Sequence, residues 1–477
     1  MQFGQAFYHV KALVGNSTFE GNIAFDSGGG IWLQDYNHSS AKTHVTMHNC
    51  SISGGKAGSR GGVAFYFSAI NQMSFLISNS TVFNSSATVN GGGLLVVLAS
   101  LDKSSRYSRA CYLTGSVTLH LLDTVIANNM VVISGENGSG GGLFVQLSHD
   151  TKSCIFARIW IAGCTFSSNN VSGLGHGGNI AMLDYINAVA STISMQNTIV
   201  RNGKAYNGGG MYYISRQLPL QCNCTSGIKS RQAVYVSSTQ FIGNIALGAG
   251  ADVMFTMDTQ DADKETLSQI STKEIQLESN TFVGSSCFNQ LLGACPTIRV
   301  EDTSKWYPEQ GCIYKLIFHN STITYVSGPV FLLLICKATF SDVQFTRIGF
   351  SALAAVSSNI VFKGNNLFVG NYGYNGGALS LLGDNRILLE PNTSITFRDN
   401  FALHAGGAIF VNDFRSHFSS STPCLFQPYM PSHDFIYGNP NISIYMDDNR
   451  ARFAGTALYG GYVDQCITYK KYQDVNI

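Results

Sequence analysis

Two short apolar phrases recur along the chain, each alternating inward-type and outward-type residues with a period of two. The first follows a glycine pair: GGGIWL from Gly28, GGGLLV from Gly91, GGGLFV from Gly140, GGNIAM from Gly177 and GGGMYY from Gly208. It returns as GADVMF from Gly250, GGALSL from Gly376, GGAIFV from Gly406 and GTALYG from Gly455. The second phrase precedes most of these and closes on asparagine: TFEGN at Asn22, TVIAN at Asn128, TFSSN at Asn169, TIVRN at Asn202, LFVGN at Asn371 and TFRDN at Asn400. Alternation such as Ile180-Ala-Met182 or Leu379-Ser-Leu381 predicts short strands with every second side chain inward. The paired glycines predict a sharp corner where backbones approach closely.

The first apolar residue after the glycines falls at Ile31, Ala64, Leu94, Leu143, Ile180, Met211, Val253, Leu379, Ile409 and Leu458. Degenerate copies at SGPVFLL from Ser327 and GFSALAA from Gly349 fill part of the long gap. Such a period suits one coil of a parallel β-solenoid, and it predicts an all-β chain of about ten to twelve coils. Phe19, Phe166, Phe282, Phe368 and Phe397 share one phase of the second phrase, so stacking would make them an interior column. The asparagines that close each phrase are expected to form a ladder from coil to coil.

The Gly-Gly-Ala-Ile at Gly406 to Ile409 and the Phe-x-x-Asn at Phe19 to Asn22, Phe166 to Asn169, Phe241 to Asn244, Phe368 to Asn371 and Phe397 to Asn400 resemble the repeats of polymorphic outer-membrane proteins. The resemblance implies a right-handed parallel β-helix displayed at a cell surface and engaged in adhesion. It covers nearly the whole of residues 1–477, read as one continuous helix and as a fragment of a longer protein, with 256–345 as degenerate coils. The chain also looks like the large extracellular β-helix proteins of animals, and it has nothing resembling the carboxy-terminal barrel of the bacterial ones.

Only 12% of residues are charged and the net charge is +1, which leaves no basic face for nucleic acid. The longest apolar stretch, Val330 to Cys336, has the length of a strand, so no membrane span is expected. Twelve cysteines and Asn-x-Ser/Thr acceptors at Asn16, Asn37, Asn49, Asn79, Asn84, Asn137, Asn170, Asn223, Asn320, Asn392 and Asn441 favour an extracellular glycoprotein. Extra residues run approximately over 100–116, 148–157, 215–231, 256–274, 286–313 and 412–440, after the glycine-led strand and before the next Phe/Asn strand, and are expected to thicken one flank. Cys111, Cys154, Cys222, Cys224, Cys287, Cys295, Cys312 and Cys424 lie in or beside these insertions, where disulfides could fasten loops. Cys50 and Cys164 sit beside the second phrase, three coils apart, too far to pair with each other.

Polysaccharide-cutting chemistry is the competing class. Gly175-His176-Gly177 matches part of a polygalacturonase-type hydrolase pattern, but the acidic pair Asp447-Asp448 lies far downstream and the Asn-Thr-Asp is missing. His176 therefore reads as a corner residue. Asp258, Asp261, Asp263 and Glu265 read as a solvated turn rather than a calcium site, and Cys222-x-Cys224 lacks a partner pair for zinc. No catalytic, cofactor-binding or metal-binding residue is assigned. Trp32, Tyr66, Phe144, Tyr212 and Phe410 follow the inward position of the glycine-led strand and should point outward, toward a sugar or protein partner or beneath the inserted loops. The expected function is non-enzymatic adhesion or recognition of a glycan or protein ligand, outside the cell.

Overall fold

A computed structural model describes residues 9–35, 42–67, 72–99, 112–132, 138–148, 153–185, 190–216, 233–258, 273–287, 296–302, 314–334, 337–383, 385–412, 425–428 and 441–460. Every pairing among the described strands is parallel, and the strands stack as the coils of a parallel β-helix. The described residues up to Lys273 form one compact unit and those from Glu274 a second.

A coil of the first unit has four strands, for example Lys42–His48, Ser51–Ser53, Lys56–Ala57 and Val63–Phe67. Seven such coils stack, from His9–Gly15 to Val253–Asp258. In the second unit six coils stack, from Lys273–Glu278 to Leu458–Tyr459. The count exceeds the expected ten to twelve because Ile298–Asp302 is a fourth strand that no glycine pair announces; Pro296-Thr297 precedes it instead. That strand also divides the expected 286–313 insertion. Most segments of variable length lie between the fourth strand and the second strand of the next coil, as expected, 429–440 among them although it follows the first strand, but 133–137 and 288–295 follow the third strand.

The interior column holds. In the first unit Phe19, Ile52, Val82, Ile126, Phe166, Val200 and Phe241 are in register. In the second, Phe345, Phe368 and Phe397 stack face to face with centroids 4.7 and 5.0 Å apart. Burying each ring contributes about 1.5–3 kcal/mol to the core.

Each coil of the first unit takes positive φ at three turns: the glycine corner, and two earlier turns whose residues are Asn, Asp, Gly or Ser. The first turn uses Asn16, Asn49, Asn79, Asp123, Gly163, Asn197 and Ser238, and the second uses Asn84, Asn128, Ser168 and Asn202 among others. These side chains tolerate the left-handed region best. The residue after the first turn points inward and returns a bond to the carbonyl two residues back, as Ser80 Oγ does to Ser78 O and Thr124 Oγ1 to Leu122 O, both at 2.8 Å. Cys50 and Cys164 occupy this same slot. Cys164 Sγ donates to Ala162 O and Leu121 O at 3.3 Å, and Cys50 Sγ donates to His48 O at 3.3 Å. Both are free thiols, so the expectation that they do not pair with each other holds.

The asparagine ladder exists with a corrected membership. Asn129 Nδ2 donates to Asn169 Oδ1 at 3.0 Å, Asn169 Nδ2 to Asn179 Oδ1 at 2.8 Å, Asn179 Nδ2 to Asn244 Oδ1 at 3.2 Å and Asn244 Nδ2 to Asp252 Oδ1 at 2.8 Å. Asn371, Asn400 and Asn449 repeat it in the second unit at 2.9 Å per step. Asn128 and Asn202 are not members; they sit one residue earlier, exposed on the positive-φ turn. The error follows from aligning Thr124 and Thr198 with Thr165, when they are in fact the inward hydroxyls equivalent to Cys164. In that coil Gly203 takes the ladder position, and its amide donates to Asn244 Oδ1 at 2.9 Å. Asn179 fills the rung from the glycine corner.

Candidate functional site

The outward face of the fourth strands in the first unit is not an ordinary solvent face. Trp32, Ala64, Leu95, Phe144, Ala181, Tyr212 and Met254 form one column; Ala64, expected to share the phase of Ile31 and Leu94, stands one residue out of it, because Val63 is the residue in register with them. Gln34, Tyr66, Val97, Gln146, Leu183 and Ile214 form the next. Ala64, Leu95, Val97, Phe144 and Ala181 pack into a buried cluster with Trp32, Tyr66 and Leu183 against it. Of the five expected outward aromatics, Phe144 and Tyr212 are buried in this second apolar layer, and Phe410, in the other unit, is buried as well and stacks on Tyr459 with centroids 5.6 Å apart. Trp32 and Tyr66 remain half-buried.

Those two rings border a cleft of about 410 Å³ lined by Ala24, Phe25, Asp26, Ser27, Trp32, Gln34, Arg60 and Tyr66. The indole plane is fixed by Trp32 Nε1, which donates to Gln34 Oε1 at 3.1 Å. The Arg60 guanidinium lies 5.7 Å from the centroid of Tyr66. Ser27 and Arg60 are bridged partners on adjacent coils, immediately before the corner glycines Gly28 and Gly61. The corner thus carries a charged side chain to the edge of an aromatic floor. Sequence reasoning found Trp32 and Tyr66; Asp26 and Arg60 carried a signal only in their place just ahead of the glycines.

A second exposed group lies on the third strands of the other unit. Tyr372 and Phe401 are in register with rings 5.5 Å apart, and Phe401 is followed by Arg450. Beside them Tyr374 stacks on His404 at 5.7 Å with 3° between planes, and His404 contacts Phe453 at 5.8 Å. Arg452 lies over Phe453 at 5.4 Å, and His404 Nδ1 is 2.9 Å from Asn375 Oδ1. Tyr374 is 55% exposed and Phe453 70%, although neither contributes to the solenoid interior. No earlier motif pointed here. The signal was an aromatic directly after a ladder asparagine, as in Asn371-Tyr372 and Asn400-Phe401.

His176 is at the corner, as expected. It bridges Ser139 and Asn207, its ring stacks on Tyr212 at 4.5 Å, and burial pushes its pKa below the ordinary imidazole value. Asp447 pairs with Arg398 at 3.6 Å, while Asp448 makes the positive-φ turn, so the two acids serve separate local contacts. Asp261, Asp263, Glu265, Cys222 and Cys224 lie outside the described residues, as does the side chain of Asp258. Of the insertion cysteines only Cys287 has a described side chain. Asp184, which the sequence did not single out, is buried and accepts from Tyr213 Oη at 2.7 Å and Ser191 Oγ at 2.8 Å. Among the described residues there is no group of three or more His, Cys, Asp and Glu placed to hold a metal ion. No described helix is long and apolar enough to cross a membrane.

No protein-family model matches the chain, and no curated protein matches it.

Proposed function

We propose that this chain is a non-enzymatic recognition surface, displayed outside the cell and engaged in adhesion to a glycan or protein ligand. The observation that carries the reading is the exposed strip of Tyr372, Tyr374, Phe401, His404 and Phe453 with Arg450 and Arg452 at its end. A solenoid gains nothing from leaving large rings in water, and contiguous exposed apolar area on a soluble body marks an interaction site. Arginine and tyrosine are also the side chains that contribute most when an interface closes over them. The likeness of the Gly-Gly-Ala-Ile and Phe-x-x-Asn phrases to polymorphic outer-membrane protein repeats supports display at a surface, as do the cysteines and acceptor triplets.

The test is a glycan-array and cell-surface binding screen of the purified chain, run beside a turnover assay on acidic polysaccharides. Binding should fall in the Tyr374→Ala/Phe453→Ala double variant, with no cleavage by the wild type. Polysaccharide cleavage by the wild type, or binding unchanged in the double variant, overturns the reading.

A further inference from the structure

The cleft at the glycine corner of the first unit has a composition that selects one class of ligand. We propose that it binds a single neutral pyranose unit of a glycan. The inference rests on the reading of the chain as a recognition surface, and it names a ligand for a site distinct from the aromatic strip.

Four observations support it. First, rings of the outer layer are accessible here: Trp32 and Tyr66 are half-buried, whereas Phe144 and Tyr212, in the same column as Trp32, are buried. The C–H face of a pyranose is the apolar surface that fits against such rings. Second, the indole is held in one plane by its bond to Gln34, so little ordering remains to be done on binding. Third, Asp26 and Arg60 lie on adjacent coils, with Arg60 N donating to Asp26 O at 3.2 Å, and their side chains line the same cleft. A carboxylate only accepts and a guanidinium only donates, whereas vicinal hydroxyls do both, so a diol satisfies the pair together. Fourth, Ser27 Oγ is buried at the cleft wall with no hydrogen-bond partner. A ligand hydroxyl entering the cleft gives it one.

The charge balance argues for a neutral sugar. The lining carries one cation, Arg60, and one anion, Asp26, so a uronic acid would set its carboxylate against Asp26 as well as toward Arg60. A volume of about 410 Å³ lies within the range of small-ligand sites, roughly 300–1,000 Å³, and toward its small end.

Isothermal titration calorimetry and saturation-transfer NMR of the intact chain with the methyl glycosides of glucose, galactose, mannose and N-acetylglucosamine test the proposal, with methyl glucuronoside as the acidic probe. At least one neutral glycoside should saturate with a Kd of about 1 mM, and the glucuronoside should bind more weakly. Trp32→Ala and Asp26→Asn should each weaken binding roughly tenfold, which corresponds to about 1.4 kcal/mol, and Trp32→Phe should fall between. Far-UV circular dichroism checks folding; if Trp32→Ala does not fold, Trp32→Phe and Asp26→Asn carry the comparison. The proposal is overturned if no neutral glycoside binds, if the glucuronoside binds best, or if folded variants bind as the wild type does. The Tyr374→Ala/Phe453→Ala variant separates the two readings, because it should lose cell-surface binding and keep glycoside binding.

Discussion

Replacing Asn169 with leucine tests the ladder most directly. The side chain is fully buried and engages four groups: its Oδ1 accepts from Asn129 N at 2.9 Å and Asn129 Nδ2 at 3.0 Å, and its Nδ2 donates to Asn179 Oδ1 at 2.8 Å and Ile126 O at 2.9 Å. After Asn169→Leu, Asn129 Nδ2 still reaches Val82 O and Asn179 Oδ1 still accepts from the residue 169 amide. The Asn129 amide, however, loses its acceptor inside the stack. An orphaned buried donor costs about 1–3 kcal/mol, and the other lost bonds add roughly 1 kcal/mol between them, so the expected loss is about 3 kcal/mol. Asn400→Leu removes the same set, with Asn371 N and Nδ2 as donors and Asn449 Oδ1 and Phe368 O as acceptors, and should cost about as much. Asn202→Leu is the control. That residue is exposed at φ 51°, so leucine pays only left-handed strain, on the order of 1 kcal/mol. Stacked repeats need not unfold in one step, so the variants are ranked by the midpoint of the first denaturant transition, with hydrogen exchange at residues 126–131 reporting locally. Equal midpoint shifts for Asn169→Leu and Asn202→Leu would show that the ladder membership assigned here is wrong.

Other outcomes follow from the same geometry. Cys164 is held by burial at a pKa of about 11, so between about pH 9 and 11 the unfolded thiol has lost its proton while the folded one keeps it; wild-type stability should fall across that window by up to about 1.4 kcal/mol per pH unit relative to Cys164→Ser, measured by denaturation at each pH. At neutral pH, Cys164→Ser should change stability by less than about 1 kcal/mol, since serine and threonine already fill that slot at Ser80 and Thr198. Gly142→Ala should lower the melting temperature, because a Cβ there would lie 2.6 Å from Asn179 O and 2.7 Å from Asn169 Nδ2, whereas Gly21→Asn should leave it unchanged, with open space around it and φ 61°. A lowered melting temperature for Gly21→Asn or none for Gly142→Ala would count against the corner geometry.

What the sequence made legible was whatever a single coil writes in its own residues. The first glycine of each corner takes positive φ, where a Cβ would run into the strand it opens, and inward phenylalanines must be apolar, so both phrases announced their strands. The fourth strand at Ile298–Asp302 went unseen because its corner is built by proline and threonine. The slip at Asn128 and Asn202 has a similar origin: two threonines with different duties, Thr124 inward and Thr165 outward, look identical in a string. The outer layer was half legible. Alternation placed Phe144 and Tyr212 outward correctly, but whether an outward residue meets water depends on what the chain lays over it, which no local spacing encodes. The strip at Tyr374 and Phe453 was invisible because its columns run between coils, at positions that share no motif.

The first turn of each coil asks for a residue that accepts positive φ, then an inward hydroxyl, then the outward residue that opens the next strand. Written out, that is Asn-Ser-Thr at Asn16, Asn79 and Asn320, Asn-Cys-Ser at Asn49 and Asn-Thr-Ser at Asn392. Each is an acceptor triplet for an N-linked sugar, composed by the needs of a bend. In this architecture folding restricts the first letter to residues that accept positive φ, Asp123, Gly163 and Ser238 as well as asparagine, and the second to an inward side chain, while the third points outward, half-buried in most coils, on the opening strand. Asn197-Thr198-Ile199 is one exchange, Ile199→Thr, from joining the set. A single exchange at that outward position therefore makes or unmakes an attachment triplet while the bend and the inward side chain stay as they are.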